Sequence, residues 1–179
     1  MTARRAWLIG GVGAAAALAG IGGALWRETR GTTAGSEADA TPDASLWALR
    51  FTRPEGGELA LADFRGRPLL LNFWATWCPP CVRELPLLDS FQRAQAGRGW
   101  QVIGLAVDAP TPVREFLRRT PLGFPVGLAG LEGTTLSRQL GNANGGLPFS
   151  VFLARDGRIR DRQLGELDPA TLQRWSSLA

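Results

Sequence analysis

Cys78 and Cys81 are the only cysteines in a chain of 179 residues, and Pro79 and Pro80 separate them. A Cys-x-x-Cys pair can alternate between an open dithiol and a small disulfide ring. The first thiolate attacks an incoming disulfide; the second sulfur then attacks the first and closes the ring. The first cysteine must therefore be exposed and readily ionised. A helix N-terminus favours the anion, because its unpaired N–H groups point at the sulfur.

Other uses of the pair fit poorly. A structural zinc site needs four ligands, usually Cys or His, and the chain has no histidine and no third cysteine. A purely structural disulfide gains little from closing so short a loop. A peroxidase cysteine of the peroxiredoxin type usually has Thr or Ser three residues before it, where this chain has Ala75. A copper carrier of the Sco type wants Cys-x-x-x-Cys and a distal histidine, and both are missing.

The flanking residues supply the elements that such a pair needs. Leu69–Trp74 is an almost continuous apolar run, the pattern of a central strand covered on both faces. Pro80 to about Gln95 has apolar residues at 81, 82, 85, 88 and 91, a helical spacing. The pair thus falls between a buried strand and the start of a helix. Upstream, Leu46–Phe51 and Glu58–Leu61 flank Pro54-Glu-Gly-Gly as a hairpin. Downstream, Val102–Val107 is a second buried strand. Thr111–Arg119 is a helix capped by Thr111 with Pro112 in its first turn. A short strand over Phe124–Leu128 and a short helix over Thr134–Leu140, stopped by Gly141, come next. Phe149–Ala154 and Ile159–Leu164 form a hairpin around Arg-Asp-Gly, and Asp168-Pro169 opens a terminal helix. This order implies an α/β fold with a mixed central sheet and helices on both faces.

Composition bounds the partners. The chain is 45% hydrophobic, enough for one core, and carries a net charge of +4. All its basic residues are arginine. Residues 1–44 sum to zero charge, so the surplus lies in the remainder. It is too small and scattered to argue for nucleic acid. Near the N-terminus, Arg4-Arg5 precede Ala6–Trp26, a run without a charge. As a helix it spans about 31 Å, near the hydrocarbon thickness of a bilayer. Trp7 and Trp26 sit at its ends, and Arg4 and Arg5 favour an N-terminus inside. Residues 1–26 are therefore expected to be an uncleaved signal anchor, with a cleaved signal peptide as the rival. Residues 27–44 are small, polar and aperiodic, as a flexible linker would be, and residues 45–179 form the globular domain. The domain is then exported, on the extracytoplasmic side of the cytoplasmic membrane.

Asn72-Phe-Trp-Ala-Thr-Trp-Cys-Pro-Pro-Cys-Val-Arg-Glu-Leu-Pro86 resembles the active-site segment of thioredoxin-fold proteins of the TlpA/ResA/CcmG type. These are membrane-tethered thiol-disulfide oxidoreductases. A second marker is Gly146-Leu-Pro-Phe-Ser-Val-Phe152, where that family carries a cis-proline before a strand. The resemblance covers about residues 45–179. It implies a thioredoxin-like fold with an N-terminal hairpin extension, and sets Leu147 and Pro148 beside the sulfurs, with the Leu147 backbone pairing with a client chain as an added strand. It departs from thioredoxin at Asn72, where thioredoxin has a buried Asp. Glu84 matches an acidic position of ResA-like members. It lies one helical turn beyond Cys81 and can handle that cysteine's proton, although an exposed glutamate favoured by the helix dipole accounts equally for the residue.

The expected reaction is reduction of a client disulfide: Cys78 forms a mixed disulfide and Cys81 resolves it. Pro79 and Pro80 have no N–H, so two donors that would stabilise the Cys78 thiolate are absent, and a reductant is expected over an oxidant. Trp77, Pro79 and Leu147 are expected to face the client; Trp74 belongs to the core. Asp108 and Arg83 fall near the site but are expected to be ordinary surface residues. The resemblance implies clients with cysteine pairs, such as those of cytochrome c or copper-centre maturation, and an upstream membrane thiol donor. Apart from the Cys78–Cys81 disulfide itself, neither a cofactor nor a metal is expected. A thiol oxidant or isomerase is the catalytic alternative, and a tethered client-binding module with little turnover the non-catalytic one.

Overall fold

The computed structural model describes residues 44–179. The expected anchor, and the linker up to residue 43, lie outside these residues. Among those described, no helix is long and apolar enough to cross a membrane.

The chain builds helix α1 (Ala44–Ala48), strands β1 (Arg50–Thr52), β2 (Glu58–Ala60) and β3 (Leu69–Trp74), helix α2 (Pro79–Gln95), β4 (Gln101–Ala106), α3 (Pro110–Arg119), β5 (Val126–Leu128), α4 (Glu132–Gln139), β6 (Phe149–Leu153), β7 (Ile159–Leu164) and α5 (Pro169–Ser177). One seven-stranded sheet has the order β2-β1-β5-β4-β3-β6-β7. β3, β4 and β5 run parallel, and the remaining pairs are antiparallel.

β3 is fully buried along its length because both faces of the sheet are covered. Its side chains still alternate. Leu70 and Trp74 join a core with Leu85 and Leu88 of α2, Val113 of α3, and Leu172 and Trp175 of α5. Leu69, Leu71 and Phe73 join a second core on the other face, with Leu46 and Trp47 of α1 and Leu140 after α4. Each such Leu contributes about 2 kcal/mol by leaving water. The two-fold period is masked because both sets are apolar. Asn72 falls on the face of Leu70 and Trp74, the one covered by α2.

Several boundaries differ from those expected. Residues 46–48 are helix, not strand, and Leu46 and Trp47 are buried by it. Two adjacent apolar residues reach one core together only if the chain coils there. α3 begins at Pro110, its N-cap is Ala109, and no side chain caps it. Thr111 is therefore inside the first turn. β5 begins at Val126, since Pro125 lacks the N–H for a ladder. α4 begins at Glu132 and ends at Gln139. Asp168 does cap α5, accepting the Thr171 N–H at 2.7 Å.

Candidate active site

Both markers of the sequence lie at one end of the sheet. β3 runs toward the loop that holds the cysteines, and β6 pairs with it antiparallel, Phe73 opposite Phe149. Pro148, immediately before β6, is therefore brought beside the end of β3. The Leu147–Pro148 peptide bond is cis. Asn142 steadies this turn by donating its Nδ2 to the Gly146 carbonyl at 2.8 Å. The Pro148 carbonyl accepts the Gly165 N–H at 2.9 Å. The Leu147 N–H and C=O have no hydrogen-bond partner among the described residues.

Cys78 and Cys81 form a disulfide with their Cα atoms 5.3 Å apart. Cys78 is the N-cap of α2, and its sulfur accepts the Cys81 N–H at 3.3 Å. Pro79 and Pro80 open the helix, where a missing N–H costs nothing. Cys78 is only 4% exposed and Cys81 is fully buried. The open exposure expected of Cys78 is thus not found in the bridged state. Its bond to Cys81 and its capping of α2 turn the sulfur inward, into the cluster of Trp74, Ala75 and Leu85. It remains the more accessible of the two. Around it the surface is apolar: Trp77 is 66% exposed, Pro79 is exposed and Leu147 half-buried, whereas Trp74 is buried.

Glu84 is buried rather than an exposed helix residue. Its Oε1 accepts from Asn72 Nδ2 at 2.7 Å, and its Oε2 accepts from the Leu167 N–H at 2.8 Å. Burial pushes its pKa up to about 7; the Leu167 and Asn72 hydrogen bonds oppose that rise, and the charge of Glu166 adds to it. A carboxyl so placed, one turn from Cys81, can exchange a proton near neutral pH.

Asp108 is not an ordinary surface residue. Its Oδ2 accepts from the Thr76 N–H at 2.9 Å and from the Thr76 hydroxyl at 2.5 Å, and its Oδ1 accepts from the Ala109 N–H at 2.7 Å. It therefore pins the loop carrying Trp77 to the end of β4. The parallel register of Trp74 with Ala106 makes that contact, and no local pattern announces it. Arg83 pairs with Glu166 at 2.9 Å and ties the β7–α5 loop to α2. Among the described residues, no group of three or more His, Cys, Asp or Glu side chains could hold a metal ion.

The chain is similar in sequence and fold to known proteins. The Redoxin family model matches residues 36–174. The thiol-disulfide oxidoreductase ResA of Bacillus anthracis is 32% identical over 113 residues, which are 63% of this chain and 63% of that protein, a little under two thirds of its length. ResA of Geobacillus thermodenitrificans (strain NG80-2) is 31% identical over 131 residues, covering 72% of this chain and 69% of that one. Among solved structures, a thiol:disulfide interchange protein of the thioredoxin family from Chlorobium tepidum TLS is 26% identical with a TM-score of 0.63, covering 73% of this chain and 92% of that one. StoA from Bacillus subtilis, 24% identical with a TM-score of 0.58 over 72% of this chain and 95% of its own, has the same fold. In this chain a helix-capping cysteine pair and a cis-proline share one end of a thioredoxin-like sheet, the sequence similarity runs along most of the domain, and the chain belongs to the redoxin family, among its ResA-like thiol-disulfide oxidoreductases.

Proposed function

We propose that this oxidoreductase reduces disulfides in client proteins outside the cytoplasm while tethered to the membrane by residues 1–26. The observation that carries client reduction is the pairing of a helix-capping Cys78 with the unpartnered backbone of Leu147. An extended client segment would hydrogen-bond to Leu147 as an added strand and bring its own sulfur to Cys78. Trp77 and Pro79 would cover its apolar side chains.

The reaction begins when the Cys78 thiolate attacks one client sulfur and the client S–S bond breaks. A mixed disulfide forms, and the other client sulfur leaves as a thiolate. Cys81 then gives its proton to Glu84 and attacks Cys78. The bond between Cys78 and the client breaks, its electron pair goes to the client sulfur, and the Cys78–Cys81 ring closes. The client gains two electrons and this chain loses them, so a membrane thiol donor must restore the dithiol. The helix start supports this net direction. Among the described residues only the Cys81 N–H reaches the Cys78 sulfur, and Pro79 and Pro80 supply none. A less stabilised thiolate makes the bridged form harder to reduce, which suits a reductant. Proteins of cytochrome c or copper-centre assembly are the client class in view.

Replacing Cys81 with Ser tests the reading. The variant should accumulate mixed disulfides through Cys78 with exported proteins that carry cysteine pairs. If it captures none and supports client maturation as well as the wild type does, the chain is a binding module and not a reductase.

A further inference from the structure

We infer that the side-chain amide of Asn72, flanked by Ser150, turns over as Glu84 gains and loses its proton, and so positions that carboxyl for exchange with Cys81. The inference rests on the proposed proton-accepting role of Glu84 and adds a residue that makes the exchange reversible.

Asn72 is the one polar side chain in β3 and is fully buried. Its Nδ2 donates both to Glu84 Oε1 at 2.7 Å and to Ser150 Oγ at 3.0 Å, while its Oδ1 has no partner. A buried carbonyl left without a donor costs about 1–3 kcal/mol. This orientation suits an ionised Glu84, which only accepts. A protonated Glu84 carries an O–H that needs an acceptor, and Nδ2 cannot serve. Rotation of the amide by half a turn puts Oδ1 in that place. Ser150 can follow, since a hydroxyl donates or accepts as required. The same amide then gives Glu84 a partner in both protonation states, with its other end unpartnered in each.

The remaining partner fixes which oxygen takes part. The Leu167 N–H donates to Oε2 at 2.8 Å and can do so in either state. The variable oxygen is thus Oε1, the one facing Asn72. The other charged or titratable groups around the carboxyl are Glu166 on the β7–α5 loop, its ion-pair partner Arg83 on α2, and Cys81 once the bridge opens. A leucine at 72 would leave Glu84 without this partner. An aspartate would accept only and add a second negative charge. A neutral amide serves both states of its neighbour.

The test follows the Asn72 side-chain resonances of the oxidised full chain by nuclear magnetic resonance between pH 5 and 9. The Nδ2 protons should shift with the same midpoint as the Glu84 carboxyl carbon, and their cross-peaks to Ser150 should be present above that midpoint and lost below it. An amide that stays still while Glu84 titrates overturns the inference. A Glu84 that does not titrate in this range overturns the parent reading as well. A kinetic measurement separates the two again. In single-turnover oxidation of the reduced chain by a peptide disulfide, Glu84→Gln should abolish the ionisation. Asn72→Leu should raise it by about one pH unit, a roughly fivefold slower reaction at pH 7. An unshifted profile in Asn72→Leu, with the ionisation lost in Glu84→Gln, leaves Glu84 as the acceptor and Asn72 as packing only.

Discussion

Asp108 illustrates how single residues at this site act through backbone groups. It accepts three hydrogen bonds, two of them from Thr76, immediately before Trp77. Replacing it with alanine leaves the Thr76 and Ala109 N–H groups without their acceptor. Asp108→Ala should lose about 1–3 kcal/mol of stability in urea unfolding. On the proposed client-facing role of Trp77, it should also slow reduction of a protein disulfide more than reduction of a small-molecule disulfide. Equal slowing of both would mean that Asp108 supports the fold alone. The cysteine pair is legible in the sequence from its spacing, and Pro148 from the family resemblance of the segment around it. The role of Asp108 and the burial of Glu84 are not. Asp108 finds Thr76 across 32 residues, and Glu84 is enclosed by Asn72 and by Leu167, which lies 83 residues away.

Among the elements, β3 and the terminal hairpin are readable because each is a run of strand-forming residues bounded by clear turn signals. α1 is not, because two buried residues in so short a segment carry no measurable period. The β1–β5 junction is equally hidden, since it rests on one paired position, Thr52 with Leu128, and on a close approach at Gly127. A Cβ at Gly127 would lie 2.8 Å from the Cβ of Phe51 and 3.1 Å from Leu59 Cδ2. The Phe51 Cβ cannot swing aside as a side-chain tip can, so β1 must move. Gly127→Ala should therefore destabilise the protein by about 1–3 kcal/mol, read as a lower urea midpoint. The cysteines leave the sheet from β3, two strands away from β5, so their reduction by a small thiol at room temperature should keep its wild-type rate. A wild-type midpoint would show that the junction yields freely.

For the whole molecule, the site sets how stability varies with pH. Glu84 has an ordinary pKa of 4.5 and is raised to about 7 in the fold, chiefly by burial. Between these values the folded chain holds a proton that the unfolded chain has released, so stability falls as pH rises through that window and the penalty is complete above about 7. The shift corresponds to about 3 kcal/mol. At the acid end the sign reverses. Partial burial pushes Asp161 upward, but hydrogen bonds from the Trp175 indole, the Arg162 N–H and the Arg174 guanidinium outweigh it and hold its carboxyl below the usual range. Asp168, capping α5 through the Thr171 N–H, is likewise held low. Both contribute stability above their ordinary value, and that contribution is lost as pH falls below it. The oxidised protein should therefore be most stable at mildly acidic pH, about 4 to 5, and lose urea resistance toward about pH 8. Glu84→Gln removes the ionising group but keeps its shape, so it should flatten the profile above about pH 5 and exceed the wild type in stability at about pH 8. If the wild type were instead most stable at that alkaline end, Glu84 would be ionised without penalty in the fold, and the carboxyl could not serve as a proton acceptor poised near neutrality.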